Sequence, residues 1–296
     1  MSSVTVALCG GLGNQMFQYA MGRALSIRNG VPLILDLYGF EFDKFYKRSF
    51  ELNNFNIPAD LSKIKSFGRF HVGRLVNNLS KSVGFVSYLV RSRLLVERTS
   101  EYDQTVAALP LSRDVFVMGY WQDERYFSDI NAVIKHEFTL SRGFSEANRL
   151  VAATIEATED AVAVHVRRLH HIAKQADVAP KSDAEQKGLA VGINYYTAGL
   201  QKIATRVRRP TYFVFSDYPQ WARENLAIDG NVTFLENNRG QDYEDMALMS
   251  LCRHHVIANS SFSWWGAWLA RAEGQIVIAP ENAKHLPNIP AYWDCL

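Results

Sequence analysis

Residues 4–35 read VTVALCGGLGNQMFQYAMGRALSIRNGVPLIL, and this stretch decides the fold class. Val4, Val6 and Leu8 belong to a β-rich run that Gly10-Gly11-Leu12-Gly13-Asn14-Gln15 interrupts. From Met16, apolar residues recur as Met16, Phe17, Ala20, Met21, Ala24, Leu25 and Ile27, a helical stripe that stops at Asn29-Gly30. Val31 to Leu37 follows as a short buried strand. Strand, helix and strand in this order make a βαβ unit, which requires a parallel sheet with helices on its faces.

Downstream, Val115 to Gly119 reads as a strand, Asp123 to Phe138 as a helix, and Ser145 to Thr158 as a helix with Ser145 as N-cap. After Glu159-Asp160 the alternation becomes regular. Strands are expected at Ala161–Val166, Thr211–Phe215, Val232–Leu235, His255–Ala258 and Gln275–Ala279. Helices are expected between and after them, at Asn194–Val207, Gln220–Leu226, Tyr243–Arg253 and Ser263–Ala272. This is a doubly wound domain, whose ligands favour the carboxyl ends of its strands. The long polar stretch Leu169–Val191 between two of these elements is expected to be functional or mobile. The chain therefore divides into two α/β halves, residues 1–150 and 151–296, joined near 140–160, with a small-molecule cleft expected between them.

Composition narrows the function. Of 296 residues, 48% are hydrophobic and 21% charged, which fits a globular protein with a sizeable core and excludes disorder and collagen-like fibres. Thirty-two basic against 30 acidic residues give no basis for a general nucleic-acid binder. Cys9, Cys252 and Cys295 are few and far apart, as expected of a reducing compartment without a disulfide framework. Met1 to Thr5 lacks a basic region, Val4 to Leu8 is too short for a signal core, and no apolar run approaches the roughly 18 residues of a membrane span. A cytoplasmic location is expected, with any membrane contact peripheral. The stretch from Asp60 to Arg98 is basic, with eight Lys or Arg from Lys63 to Arg98 against Glu97. It could touch an anionic membrane, or form a solvated helical face.

Three segments could carry chemistry. Gly10 to Gln15 sits between a strand and a helix, where backbone N–H groups can meet an anion; a tight turn needing positive φ explains the glycines equally well. Its spacing is not a dinucleotide fingerprint, because Met16 stands where the last glycine should be, and there is no P-loop. The second, Ala161 to Arg168, is a buried strand running into two arginines. His165 and Arg167 share one face and Arg168 takes the other. Guanidinium groups at a strand end suit a diphosphate, although solvated arginines and a core histidine would look alike. The third, Ala258 to Trp268, places Asn259, Ser260, Ser261 and Ser263 at the start of a helix, a geometry for capping or for phosphate. Trp264, Trp265 and Trp268 read as core, whereas Trp121 could stack on a sugar. Asp242, Glu244 and Asp245 read as charges complementing a helix dipole. Cys252, His254 and His255 have no partner pair at zinc spacing, so no metal is expected. No GxSxG occurs to suggest a serine hydrolase.

Taken together, GGLGNQMFQYAMGRAL (10–25), GYWQDERYF (119–127), HVRR (165–168), FSD (215–217) and DMALMSLCRHHVIANSSFSWWGAWLA (245–270) resemble the α-1,2-fucosyltransferase family, glycosyltransferase family 11. The resemblance implies two facing Rossmann-like domains (GT-B-like), with residues 1–150 on the acceptor side and 151–296 binding a GDP-L-fucose donor. The implied reaction is inverting and metal-independent, with no cofactor beyond the donor substrate, and gives an α-1,2 link on a terminal β-galactoside of an oligosaccharide or glycolipid precursor. It implies that Arg167 binds the β-phosphate with Arg168 in support, and that His165 lies against the nucleotide. Ser260, Ser261 and Ser263 would meet the phosphates, Ser216 and Asp217 would line the nucleotide site, and Asn14 and Gln15 would line the cleft from the other half.

Two departures stand out. The family continues HxRR with Gly-Asp-Tyr, where this chain has Leu169-His170-His171, so a candidate base is missing and His170 is the candidate substitute. The family's SDD becomes Ser216-Asp217-Tyr218, which removes an acid expected at guanine. Two alternatives stay open: a related transferase using another nucleotide sugar, and a catalytically silent nucleotide-sugar-binding protein.

Overall fold

The computed structural model describes residues 2–43, 47–62, 93–168, 190–236, 240–270, 272–281 and 287–296. The chain forms two compact units, Met1–Ser141 and Arg142–Leu296, each built on a parallel sheet. The α/β class expected from the sequence is the one observed. No helix among the described residues is long and apolar enough to cross a membrane.

In the first unit, β1 (Val4–Ala7), β2 (Leu33–Asp36), β3 (Asp60–Ser62), β4 (Arg93–Val96) and β5 (Val115–Met118) lie in the order β3-β2-β1-β5-β4. Every pairing is parallel. Helix α1 (Leu12–Asn29) starts earlier than its apolar stripe suggests, because Gln15 and Gln18 are buried with it. It stops at Gly30, whose φ of 61° is the left-handed cap. The Gly30 N–H donates to the Ile27 carbonyl and the Val31 N–H to that of Ser26. The helix lies so close to the sheet that a Cβ on Gly22 would come within 2.3 Å of Val6 Cγ2. Edge strands β3 and β4 were not expected: Asp60-Leu61-Ser62 has no buried face to read.

The helix expected over Asp123–Phe138 is broken. The segment contains 3-10 turns at Glu124–Tyr126 and Ser128–Ile130, and only Asn131–Glu137 is α-helical (α3, after the short α2 at Gln104–Ala107). Tyr126 and Phe127 are both buried, Tyr126 edge-on to Trp121, and Phe127 has a φ of −138°. Burying adjacent aromatic rings outweighs helix continuity here.

In the second unit, β6 (Ala161–Val166), β7 (Thr211–Ser216), β8 (Asn231–Leu235), β9 (His254–Val256), β10 (Val277–Ala279) and β11 (Asp294–Cys295) are ordered β11-β10-β9-β6-β7-β8, again all parallel. The two-residue β11 adds a sixth strand, and Asp294 on it bonds Arg206 of the next helix described. Helices α5 (Ile193–Arg206) and α6 (Pro219–Asn225) pack on the face carrying Val162, Val164 and Val166. On the other face Ala161 and Ala163 meet α4 (Glu146–Glu156) and α7 (Asp242–Leu251). Helix α8 (Ser261–Leu269) buries Trp264, Trp265 and Trp268, so these three are core as expected.

Glu244 corrects the reading of α7's acids as dipole complements. It is 3% exposed and accepts hydrogen bonds from the Ser145 N–H (3.0 Å), the Ser145 hydroxyl (2.8 Å) and the Asn148 amide. Ser145 therefore occupies the N-cap position of α4 while its hydroxyl serves Glu244 and not the helix. Removing the carboxylate takes this shared acceptor from all three groups. Glu244→Ala should accordingly lower unfolding free energy by roughly 3 kcal/mol. Urea titration measures this, and a loss under about 1 kcal/mol would remove Glu244 from the anchoring role.

Candidate active site

In the second unit, three strand ends converge. β6 lies between β7 and β9, pairing His165 with Phe215 and Val164 with Val256, so HVRR, FSD and ANSSFS emerge side by side at the carboxyl edge. The two arginines separate as strand alternation requires. Arg168 is buried, its guanidinium 4.1 Å from the centre of the Trp221 ring and within 3.3 Å of the Val191 carbonyl. Its backbone N–H donates to Asp217 Oδ1 at 2.7 Å, tying the end of β6 to the end of β7. Arg167 is only half-buried, on the His165 side. Of the pair, Arg168 is tied into the scaffold and Arg167 is the more exposed.

His165 sits in the interior with its ring 5.4 Å from that of Phe262, and its Nδ1 has no hydrogen-bond partner among the described residues. Burial, with Arg167 beside it, pushes its pKa down to about 3 against a smaller opposing effect from Asp217. It is a neutral imidazole at physiological pH.

Ser260 is the N-cap of α8, its hydroxyl accepting the Phe262 N–H at 3.3 Å. Ser261 is half-buried on the first turn, where N–H groups and the dipole favour an anion. Ser263 is buried and its hydroxyl bonds the Ala258 N–H (3.2 Å) and the Ser260 carbonyl (3.3 Å), so it shapes the loop from behind. Ser216 accepts the Tyr218 N–H at 3.0 Å, closing the turn after β7.

In the first unit, Gly10 has the positive φ (79°) that a tight turn after β1 requires, and Asn14 meets Gln122, whose amide donates to Asn14 Oδ1 at 2.9 Å. Gln15 is fully buried. It donates to the Gly10 (3.0 Å) and Ser49 (2.9 Å) carbonyls and accepts from the Glu51 N–H (3.0 Å), which makes it a tether for the 49–51 loop. Trp121 is 2% exposed and edge-on to Tyr126, so it cannot stack on a sugar; burial in the unit's core explains the difference.

The sequence reading missed Glu97 and Gln18. Glu97 accepts from the Tyr120 and Trp121 N–H groups, and Gln18 bridges Cys9 to the Gly119 carbonyl. Glu97 is the acid that interrupts a basic run, a signal that could have been read. A glutamine on an apolar helix face carries none.

His170, with Leu169 and His171, lies outside the described residues, as does residues 63–92 of the basic segment. Among the described residues no three His, Cys, Asp or Glu side chains converge as metal ligands would. His255 Nε2 meets the Met249 carbonyl at 2.9 Å, and His254 Nδ1 accepts the Ile276 N–H at 3.1 Å.

Two parallel α/β units, with an arginine and a capped helix meeting at one sheet edge of the second, are of the GT-B-like build. The family model for glycosyl transferase family 11 matches residues 96–288. The chain belongs to glycosyltransferase family 11 and is a glycosyltransferase. It is 32% identical to an alpha-1,2-colitosyltransferase of Escherichia coli, over 99% of this chain and 98% of that one. It is 26% identical to galactoside alpha-(1,2)-fucosyltransferase 2 of Bos taurus, over 91% of this chain and 69% of that one. Among solved structures, the fucosyltransferase NodZ from Bradyrhizobium shares the fold with a TM-score of 0.54 and 13% identity, over 96% of this chain and 97% of that one.

Proposed function

We propose that the protein transfers L-fucose from GDP-β-L-fucose to the 2-hydroxyl of a terminal β-galactoside, with inversion and without a metal. The observation that carries this is the convergence of Arg167, the Asp217–Arg168 tie and the Ser260-capped start of α8 at one sheet edge. As the fucose–phosphate bond breaks, negative charge grows on the departing diphosphate. Arg167 and the first turn of α8 would stabilise it, the work that a metal ion does elsewhere. The galactose oxygen attacks from the opposite face and gives up its proton. The imidazole of His170 is the candidate acceptor of that proton. Residues 151–296 would hold the donor and residues 1–150 the acceptor. A cytoplasmic location, with the basic Asp60–Arg98 segment at an anionic membrane, belongs to the same proposal and rests on composition.

The 32% identical colitosyltransferase relative supports a second reading, in which the donor carries colitose in place of fucose. Both donors should be assayed against lactose and related β-galactosides in EDTA, following GDP release. The fucose reading expects transfer from GDP-fucose with the higher kcat/KM. Preference for GDP-colitose would install the second reading, and GDP binding without turnover would mark a silent binder.

A further inference from the structure

We propose that the Gly119–Gln122 turn of the first unit is a subsite for the sugar acceptor, in which Tyr120 touches the acceptor and Glu97 positions Tyr120. This deepens the glycosyl-transfer reading above and rests on it.

The turn follows β5 at the carboxyl edge of its sheet and is held in a conformation that the chain would not choose alone. Trp121 has a φ of 56°, in the left-handed region that disfavours a large side chain. Gly119 has a φ of 149°, and a Cβ there would lie 2.4 Å from Glu97 Cβ. Glu97, directly after β4, anchors this geometry: its carboxylate accepts the Tyr120 N–H at 2.6 Å and the Trp121 N–H at 2.9 Å. Gln18 of α1 adds a third tie by donating to the Gly119 carbonyl at 3.1 Å.

The result is a division of labour between neighbouring aromatics. Trp121 is turned into the core, and its indole N–H has no hydrogen-bond partner among the described residues. Tyr120 is 44% exposed, and its side chain also reaches the Cys9 thiol, two residues past β1. Strain and an unpaired buried donor are costs that a mere connection between elements would not need. Two residues beyond Tyr120, the Gln122 amide donates to Asn14 Oδ1 at 2.9 Å. The Glu97 carboxylate that holds the turn is engaged by two backbone N–H groups. An aromatic face with neutral amides suits an uncharged polyol: the ring covers the C–H face of a pyranose, and amides bond its hydroxyls. The group recognised is therefore the acceptor sugar and not an anionic donor.

The test measures donor and acceptor KM separately for Tyr120→Ala, Tyr120→Phe, Glu97→Ala and Glu97→Gln. Tyr120→Ala should raise acceptor KM about tenfold or more, with donor KM within about twofold, while Tyr120→Phe keeps the ring and stays close to the parent protein. Glu97→Ala should raise acceptor KM similarly, and Glu97→Gln, whose one amide oxygen can accept only one of the two N–H groups, should fall between Glu97→Ala and the parent protein. An unchanged acceptor KM, or equal rises for donor and acceptor, overturns the subsite. If the parent protein transfers nothing, the transfer reading itself has failed, and the subsite is then judged by binding to immobilised β-galactosides. Binding lost in Tyr120→Ala and kept in Tyr120→Phe supports it; binding kept in Tyr120→Ala, or absent from the parent, overturns it.

Discussion

Arg167→Ala should lower kcat for sugar transfer by about two to three orders of magnitude, the usual effect of removing a charged group that meets developing charge. The expectation follows from how strand alternation separates the two arginines. Arg168 is buried over Trp221 and its backbone is bound to Asp217, so it holds the ends of β6 and β7 together. Arg167 is half-buried at the strand end. Its loss should therefore spare the fold, leave the thermal transition in place and weaken GDP binding. Steady-state kinetics with calorimetric GDP titration checks this. Near-normal turnover in a folded variant would refute the phosphate role.

The second large effect is on stability in acid. His255 is buried as a neutral ring, its Nε2 at the Met249 carbonyl and its Nδ1 3.1 Å from the Gln275 amide, and burial pushes its pKa down to about 4. His165 is pushed down to about 3 by burial and by Arg167. Both titrate near 6.5 when unfolded, so between 6.5 and these lower values the unfolded chain binds protons that the folded chain refuses. Their stability contribution is complete above pH 6.5 and is lost progressively as pH falls towards 4 for His255 and towards 3 for His165. At about 1.4 kcal/mol per pH unit, the losses are on the order of 3 and 5 kcal/mol respectively. Urea midpoints should fall steadily over this window. His255→Gln should flatten the slope above pH 4 that His255 supplies. A midpoint independent of pH from 6.5 to 4 would contradict the burial of neutral imidazoles.

The two parallel sheets were legible because βα alternation leaves a strong period in the apolar residues, from Val4 to Leu35 and again from Ala161 to Ala279. The convergence of HVRR with ANSSFS was legible too, since strand ends in such a sheet share one edge. Residues that act through backbone atoms were not. Gln15 and Gln18 look like polar interruptions of an apolar helix, yet Gln15 bonds a group 36 positions away and Gln18 one 101 positions away. Glu244 looks like a dipole charge but anchors a neighbouring helix. Trp121 looks like a sugar platform, and only its backbone conformation reveals that Tyr120 is the exposed ring.

The most direct test of sugar transfer at this site is proton and carbon NMR of the product formed from GDP-β-L-fucose and lactose with EDTA present. The account predicts a single new α-fucosyl anomeric signal with the galactose 2-carbon shifted by substitution. A β-linked product, substitution at another hydroxyl, or no product while GDP-fucose remains intact would contradict it.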